Sequence, residues 1–374
     1  MRKPSHLGQA CFTAIVFFGA TLATAAGGPL LIGQTADFSG PQSAAVKETT
    51  AAAKAYFESV NKAGGVNGRK IELESVDDGF DPKRTVANAT QLITERHVLA
   101  LMLSRGTANA EALIPVTREY KVMAFAPVGG SELMHRPVNH YLFNIRPMHR
   151  LEAEKAVEQL ATQGLRRIAV AYVDDALGND AIKGALAGFK TMNLEPIVLA
   201  TIPRGEPKVE AAVEALIKAQ PDAVLGICIA KSCAALVKQL RARGSFAQFL
   251  SLSNTSSSGY VKDLAENARG VIVSQVYPPP FSDVPSVSKE FRKLATDYNL
   301  NLSYSAMEGF IAAKVMTEAL RRAGTNPTPA SLIAAMENMN YDVGGFTIGF
   351  QGHGRTGSEF MELTMISKNG KFIR

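Results

Sequence analysis

Leu30-Leu31-Ile32-Gly33, then Asp37-Phe38-Ser39-Gly40-Pro41, then the Ala-rich run Val46 to Val60 give a strand, a loop and a helix in that order. Ala53, Tyr56 and Val60 share one helical face, and Gly64-Gly65-Val66-Asn67-Gly68 breaks the chain with residues that accept positive φ. Ile71 to Val76 alternates apolar with polar, the period of a strand. Asp81-Pro82 supplies an N-cap and a first-turn proline for the next helix. A strand over Val98–Leu103, a helix over Asn109–Tyr120 and a strand over Val122–Phe125 follow. The order then repeats. Helices are expected at Leu151–Thr162, Asn179–Lys190, Val209–Ala219 and Ala234–Arg243, and strands at Ile168–Tyr172, Ile197–Ala200, Ala223–Ile229 and Phe249–Leu250. Strands alternating with long helices imply parallel sheets with right-handed crossovers. Two such sets in succession predict an α/β protein of two doubly wound parallel-sheet lobes.

Beyond the strand Val271–Val276, Tyr277-Pro278-Pro279-Pro280 is a stiff extended segment suited to an interlobe hinge. Helices over Ser286–Tyr298, Ala306–Ala323 and Pro329–Met339 come next. Strands at Phe346–Phe350 and Phe360–Ile366 flank a turn at His353-Gly354.

The N-terminus carries an address. Arg2 and Lys3, an apolar stretch from Ala10 to Leu22, and small residues in Ala23-Thr24-Ala25 have the order of a secretory signal peptide covering residues 1–26. Cys11 precedes the hydrophobic run and makes no convincing lipid-attachment site. The chain is therefore expected to act outside the cytoplasm, in the periplasm, without cytosolic ATP or reduced nicotinamide. Roughly 350 residues then remain, two domains' worth. The formal charge of +6, two of it from Arg2 and Lys3, is spread among acids and forms no stripe for a nucleic-acid backbone. After Cys11 the only cysteines are Cys228 and Cys233, placed where a strand ends and a helix opens; they can pair or stay free thiols. Neither a metal site nor a cofactor is expected, because no clustered His or further Cys accompanies them.

In open parallel sheets, ligands sit beyond the carboxyl ends of the strands. Four loops occupy such positions: Asp37 to Pro41, Ser104-Arg105-Gly106-Thr107, Pro127 to Ser131 and Asp174 to Gly178. Their small and hydroxylated residues suit a carboxylate, although caps favour the same residues and any single one of them is more simply read as a helix cap. Gly-x-Ser-x-Gly, His-Glu-x-x-His, a Walker lysine loop and a Rossmann glycine pattern are all missing, which argues against an enzyme.

The order Gly33…Ser39-Gly40, Gly64-Gly65-Val66-Asn67-Gly68, Asp77-Asp78…Asp81-Pro82, Gly106-Thr107 and Ala126-Pro127 resembles the periplasmic leucine/isoleucine/valine-binding proteins. These are type I solute-binding proteins of branched-chain amino acid ABC importers. The resemblance runs from about Pro29 to the C-terminus. It implies two lobes joined by three crossovers, near Arg146–Met148, Tyr277–Pro279 and Met361–Thr364, with residues 27–147 and 278–361 in one lobe and 148–277 and 362–374 in the other. It also implies a monomer that closes on a small amino acid or organic carboxylate, performs no chemistry and presents the closed form to an inner-membrane permease. A sensor feeding another membrane partner, or an extracytoplasmic enzyme, are the alternatives.

The family's carboxylate-binding hydroxyl falls on Thr107, and its two backbone contacts fall on Val128 and Gly130. In the second lobe an aromatic is replaced by Leu177, the ammonium-binding acid falls near Ser253 or Asn254, and another cleft acid falls on His149. Arg105 could pair with a carboxylate or be a solvated loop cation. Phe38 is placed to line the cleft, as Tyr172, Tyr260, Tyr277 and Tyr304 could. Glu308 lies in a helix pattern consistent with simple exposure. The ligand's identity stays open at this level.

Overall fold

The computed structural model describes residues 27–351 and 354–374. The expected signal peptide, Cys11 and the first residue of the His353-Gly354 turn lie outside the described residues.

β1 (Leu30–Ala36) is buried almost throughout, as a strand covered on both faces must be. It sits between β2 (Ile71–Asp77) and β3 (Leu101–Met102), with β4 (Ala124–Phe125) and β5 (Leu142–Phe143) completing a parallel sheet of order β2-β1-β3-β4-β5. The first three connections are helical, α1 (Ser43–Lys62), α2 (Pro82–Thr94) and α3 (Thr107–Tyr120), and β4 leads to β5 through a loop with one short turn at Glu132–Met134. The α1–β2 turn carries positive φ at Gly64, Gly65, Asn67 and Gly68, as its composition requires. Asp81 caps α2 by accepting from the Lys83 N–H, with Pro82 in the first turn.

The second sheet has order β14-β13-β10-β9-β8-β6-β7. Its parallel part is built from α4 (His149–Thr162), β6 (Ile168–Val173), α5 (Ala176–Thr191), β7 (Leu199–Ile202), α6 (Glu210–Ala219), β8 (Ala223–Ile227), α7 (Ala230–Ala242), β9 (Gln248–Ser251), α8 (Ser258–Leu264) and β10 (Ile272–Gln275). The chain then returns to the first lobe through α9 (Ser286–Asp297), α10 (Tyr304–Arg322), α11 (Pro329–Glu337) and the hairpin of β11 (Asn340–Asp342) with β12 (Thr347–Gly349). Finally β13 (Glu362–Ile366) and β14 (Phe372–Ile373) add antiparallel to the edge of the second sheet. The chain passes between the sheets three times: after β5, after β10 and before β13.

Several boundaries move for local reasons. The third strand ends at Met102, where Leu103 turns to φ 56°, and Val98 to Ala100 precede it rather than forming part of it. α5 begins three residues earlier than its apolar pattern, because Asp175 caps it by accepting from Leu177 and Gly178 N–H. α7 begins at Ala230, and Cys233 in its first turns is disulfide-bonded to Cys228 just past β8, with the Cα atoms 5.5 Å apart. α8, marked by Ser257 as N-cap, has no counterpart in the periodicity reading.

α10 joins the lobe-1 core along most of its length, with Met307, Phe310, Ile311 and Met316 fully enclosed. Its close approach to α1 needs Gly309, where a Cβ would lie 1.9 Å from the Thr49 carbonyl oxygen. Gly309→Ala must push the two helices apart. It is expected to destabilise the protein by about 1–3 kcal/mol, read as a lower midpoint in urea unfolding.

Candidate functional site

The carboxyl ends of both sheets face each other across one seam. On the first-lobe side, Asp37 closes the loop after β1 by accepting from the Gly40 N–H at 2.5 Å and the Gln42 N–H at 2.7 Å. Asp77 holds the same loop from β2, accepting from the Phe38 N–H and the Ser39 hydroxyl. Asp78 ties Phe80, Thr85 and Thr35 together. The two adjacent acids are thus scaffolding, and Phe38 is half-buried above them.

The loop after β3 is clamped to the loop after β4. Val128 N–H donates to the Ser104 carbonyl at 2.7 Å, and Gly106 N–H donates to the Val128 carbonyl at 3.1 Å. Both backbone groups of Val128 are therefore engaged within the lobe. α3 starts at Thr107 behind Gly106, which provides no side-chain cap, so its first-turn N–H groups remain open to an anion. Gly106 stands at φ 100°, where a Cβ would meet the Phe80 ring at 2.6 Å. Gly130 has His149 packed where its Cβ would be, and its carbonyl accepts from the His149 N–H.

Arg105 is not a solvated loop cation. It is 2% exposed, and its guanidinium spans the seam. Nε donates to Gln42 Oε1 at 3.2 Å, Nη1 to Glu308 Oε2 at 3.4 Å, and Nη2 to the Asn254 carbonyl of the second lobe at 2.9 Å. Glu308, read as an exposed helix residue from sequence, is 5% exposed and also accepts from the Tyr277 hydroxyl at 3.1 Å. Burial and the Glu308 charge push the Tyr277 phenol well above its ordinary value, so it stays a donor.

A second buried ion pair stands beside the first. Glu152 in the first turn of α4 accepts from Arg146 at 2.8 Å, His149 Nδ1 at 3.1 Å, the Ser253 N–H at 2.9 Å and the Ser274 hydroxyl at 2.6 Å. Burial alone would raise its carboxyl. The His149 bond, the Arg146 charge and the Ser274 hydroxyl outweigh that and hold it well below the usual range. Burial, helped by Arg146, lowers the His149 ring, so the pair Arg146–Glu152 carries the charge. His149 therefore belongs to a hinge cluster rather than reaching across the cleft. Ser253 joins that cluster through its hydroxyl, which accepts from Arg146 at 2.6 Å.

Leu177 lies 5% exposed in the hydrophobic core of the second lobe. The Asn254 side chain donates to the Cys228 carbonyl at 3.0 Å, so the disulfide, Ile229 and the loop after β9 are held as one unit. Between the lobes a gap of about 10 Å³, the size of one water, is lined by Arg146, Ser253, Gln275, Tyr277, Ser305 and Glu308, among others. Larger depressions, such as that beside Asn340, Thr347 and Ser358, lie on the β11–β12 hairpin away from the strand ends.

Sequence reasoning placed Arg105, Thr107, Val128, Gly130, His149 and Ser253 along this seam, and missed Gln42, Arg146, Glu152 and the burial of Glu308. One signal for Glu308 was available: it is the single charge within the otherwise small and apolar stretch Ala306 to Ala313.

The comparisons agree with this architecture. The family model described as periplasmic binding protein matches residues 29–371. A substrate-binding periplasmic protein from Ralstonia solanacearum is 34% identical, with 92% of this chain and 99% of that one covered at a TM-score of 0.88. The Leu/Ile/Val-binding protein homolog 3 of Brucella melitensis is 24% identical over 86% of this chain and 88% of its own length. In fold alone, the chain also matches a solute binding protein of an ABC transporter from Rhodopseudomonas palustris BisB5 in complex with 3,4-dihydroxy benzoic acid, at 22% identity and a TM-score of 0.81 over 92% and 95% of the chains. With two doubly wound lobes, three crossovers and a match over nearly all the described residues, the chain belongs to the periplasmic binding protein family, as the Leu/Ile/Val-binding resemblance of its motifs implied.

Proposed function

We propose that this protein is the periplasmic substrate-binding component of an ABC importer. It would hold a small amino acid or related organic acid between residues 27–147 plus 278–361 and residues 148–277 plus 362–374, then hand it to a permease as a monomer. Binding, not catalysis, is its task. The observation that supports the reading is Arg105: a guanidinium from one lobe, buried in the seam and bonded to the backbone of the other, has the chemistry that would suit a ligand carboxylate. Thr107 and the first turn of α3 offer the same ligand end a hydroxyl and N–H donors. The relatives support it: they include a Leu/Ile/Val-binding protein homolog and a solute binding protein in complex with 3,4-dihydroxy benzoic acid, and all of these ligands carry a carboxylate.

Closure is a two-state hinge motion biased by whatever favours the closed form. Three interlobe clasps outside the seam contribute. Glu48 of α1 accepts from the Ser258 N–H at 3.2 Å and the Gly259 N–H at 3.3 Å. Arg150 pairs with Glu132, whose own N–H donates to Asp180 at 3.2 Å. Arg204 reaches the Phe80 carbonyl at 2.9 Å and Asn109 Oδ1 at 3.2 Å, with its guanidinium 4.2 Å from the Phe80 ring centroid.

A thermal-shift screen of refolded protein against amino acids, aliphatic and aromatic carboxylates and amides tests the function. A ligand at a hundred times its Kd adds about 2.7 kcal/mol, a shift of several degrees. No shift from any carboxylate would refute the reading. Thr107→Val is expected to cost roughly 1–3 kcal/mol of binding free energy, measured calorimetrically with whichever ligand the screen returns. Arg204→Gln should leave the binding groups intact yet weaken closure by about 1 kcal/mol, seen as a roughly fivefold higher Kd and a larger radius of gyration in solution scattering.

A further inference from the structure

The base of the second lobe, at the amino ends of its parallel strands, faces away from the seam and carries a different chemistry. β9 stands in the middle of the seven-stranded order and is entered from α7 through Gly244-Ser245-Phe246-Ala247. Hydrogen bonds fix this turn. Gly244 takes φ 80°, its N–H donates to the Arg241 carbonyl at 3.0 Å, and the Ser245 N–H donates to the Leu240 carbonyl at 2.9 Å. The turn holds Phe246 79% exposed, more than any other large hydrophobic side chain among the described residues. Beside it lies a depression of about 300 Å³ lined by Leu216, Ile217, Pro221 and Ala247, among others. Phe246 thus belongs to an apolar patch and is not a scattered single side chain.

Cations flank the patch on both sides. Arg269 precedes β10, and Lys368 and Lys371 lie in the turn between β13 and β14. On the other side Lys218 stands in the last turn of α6 before β8, and Arg166 and Arg167 precede β6. Dispersed in sequence, they are gathered along one edge by the sheet. All are exposed, and the second lobe's ion pairs among the described residues use other side chains. Arg167 donates to the Ala219 and Gln220 carbonyls at the end of α6, which holds its guanidinium in place and leaves its charge. Helix ends do not account for Arg166, Arg269, Lys368 and Lys371, which lie outside the α-helices. Asp222 and Glu266 stand among these cations, and Arg243 is paired with Glu214.

Neighbouring strands lie about 4.8 Å apart, so the row from β13 to β6 spans about 19 Å. A row of mainly one sign with an aromatic at its centre matches a plane of anionic headgroups with hydrocarbon beneath it. A second copy of the chain would set the row against itself, and like charges oppose that. We propose that this face is a peripheral docking surface for an anionic phospholipid bilayer, with Phe246 entering the headgroup boundary and the flanking cations meeting lipid phosphates. The seam lies at the other end of the strands, so docking leaves it free, and the proposal does not depend on which solute the seam holds.

Co-sedimentation of the chain lacking residues 1–26 with lipid vesicles tests it. Vesicles of phosphatidylglycerol mixed with phosphatidylcholine are compared with phosphatidylcholine alone, at low and high salt. The wild type should bind the phosphatidylglycerol vesicles, and the binding should fall in high salt and in pure phosphatidylcholine. Phe246→Ser should weaken partitioning about tenfold. Lys368→Gln combined with Lys371→Gln should weaken it roughly fivefold per lysine. Lys54→Gln combined with Lys289→Gln removes the same charge from exposed first-lobe positions and should change little. All these side chains are exposed, and matching unfolding midpoints check that each variant folds. No preference for phosphatidylglycerol, an equal loss in the first-lobe control, or undiminished binding of Phe246→Ser overturns the proposal. Self-association in sedimentation velocity that Phe246→Ser abolishes, without vesicle binding, overturns it in favour of a second copy.

Discussion

Four donors from three separate parts of the chain converge on the Glu152 carboxylate. Arg146 lies on the first crossover, Ser253 follows β9, Ser274 lies in β10, and His149 starts the helix that carries Glu152 itself. The second lobe's strand ends and the first crossover are therefore pinned at one atom group. Breaking a buried ion pair of this kind typically costs about 3–5 kcal/mol, because the remaining charge is stranded. The seam's geometry depends on that point.

Around this pin the lobes meet through polar contacts rather than a shared hydrophobic core. The two large apolar clusters lie within their own lobes, one built on α1 and α10 and the other on α4, α5 and the second sheet. Between them stand Arg105, Gln42, Asn254 and Glu308, joined by hydrogen bonds of 2.9 to 3.4 Å. A polar seam can open to water at small cost, whereas two packed apolar faces could not. The disulfide Cys228–Cys233 and the Asp175 cap tie down the second-lobe loops that face the seam.

The buried charges of the seam also balance. Each guanidinium has a carboxylate, and the neutral His149 adds none. A ligand entering such a cluster is judged by what it leaves unpaired as much as by what it touches.

Much of the architecture was legible from sequence because it rests on local rules. The period-two run Ile71–Val76, the Asp81-Pro82 helix start and the Gly64–Gly68 turn each have one physical solution, and their alternation leaves little but doubly wound lobes. The first-lobe loops were likewise findable, since small residues after β1, β3 and β4 mark strand ends wherever the strands sit. The seam was not. Arg105 meets Glu308 across a separation of 203 residues, and Arg146 meets Ser253 across 107. No periodicity reports which of many dispersed charges will be folded together. Whether Glu308 faced solvent, and whether Arg105 was a loop cation, turned on how α10 packs against α1 and on the closing of one lobe over the other. Those are tertiary facts, set by the fit of Gly309 against Thr49 and by charges that become neighbours only once both lobes are built.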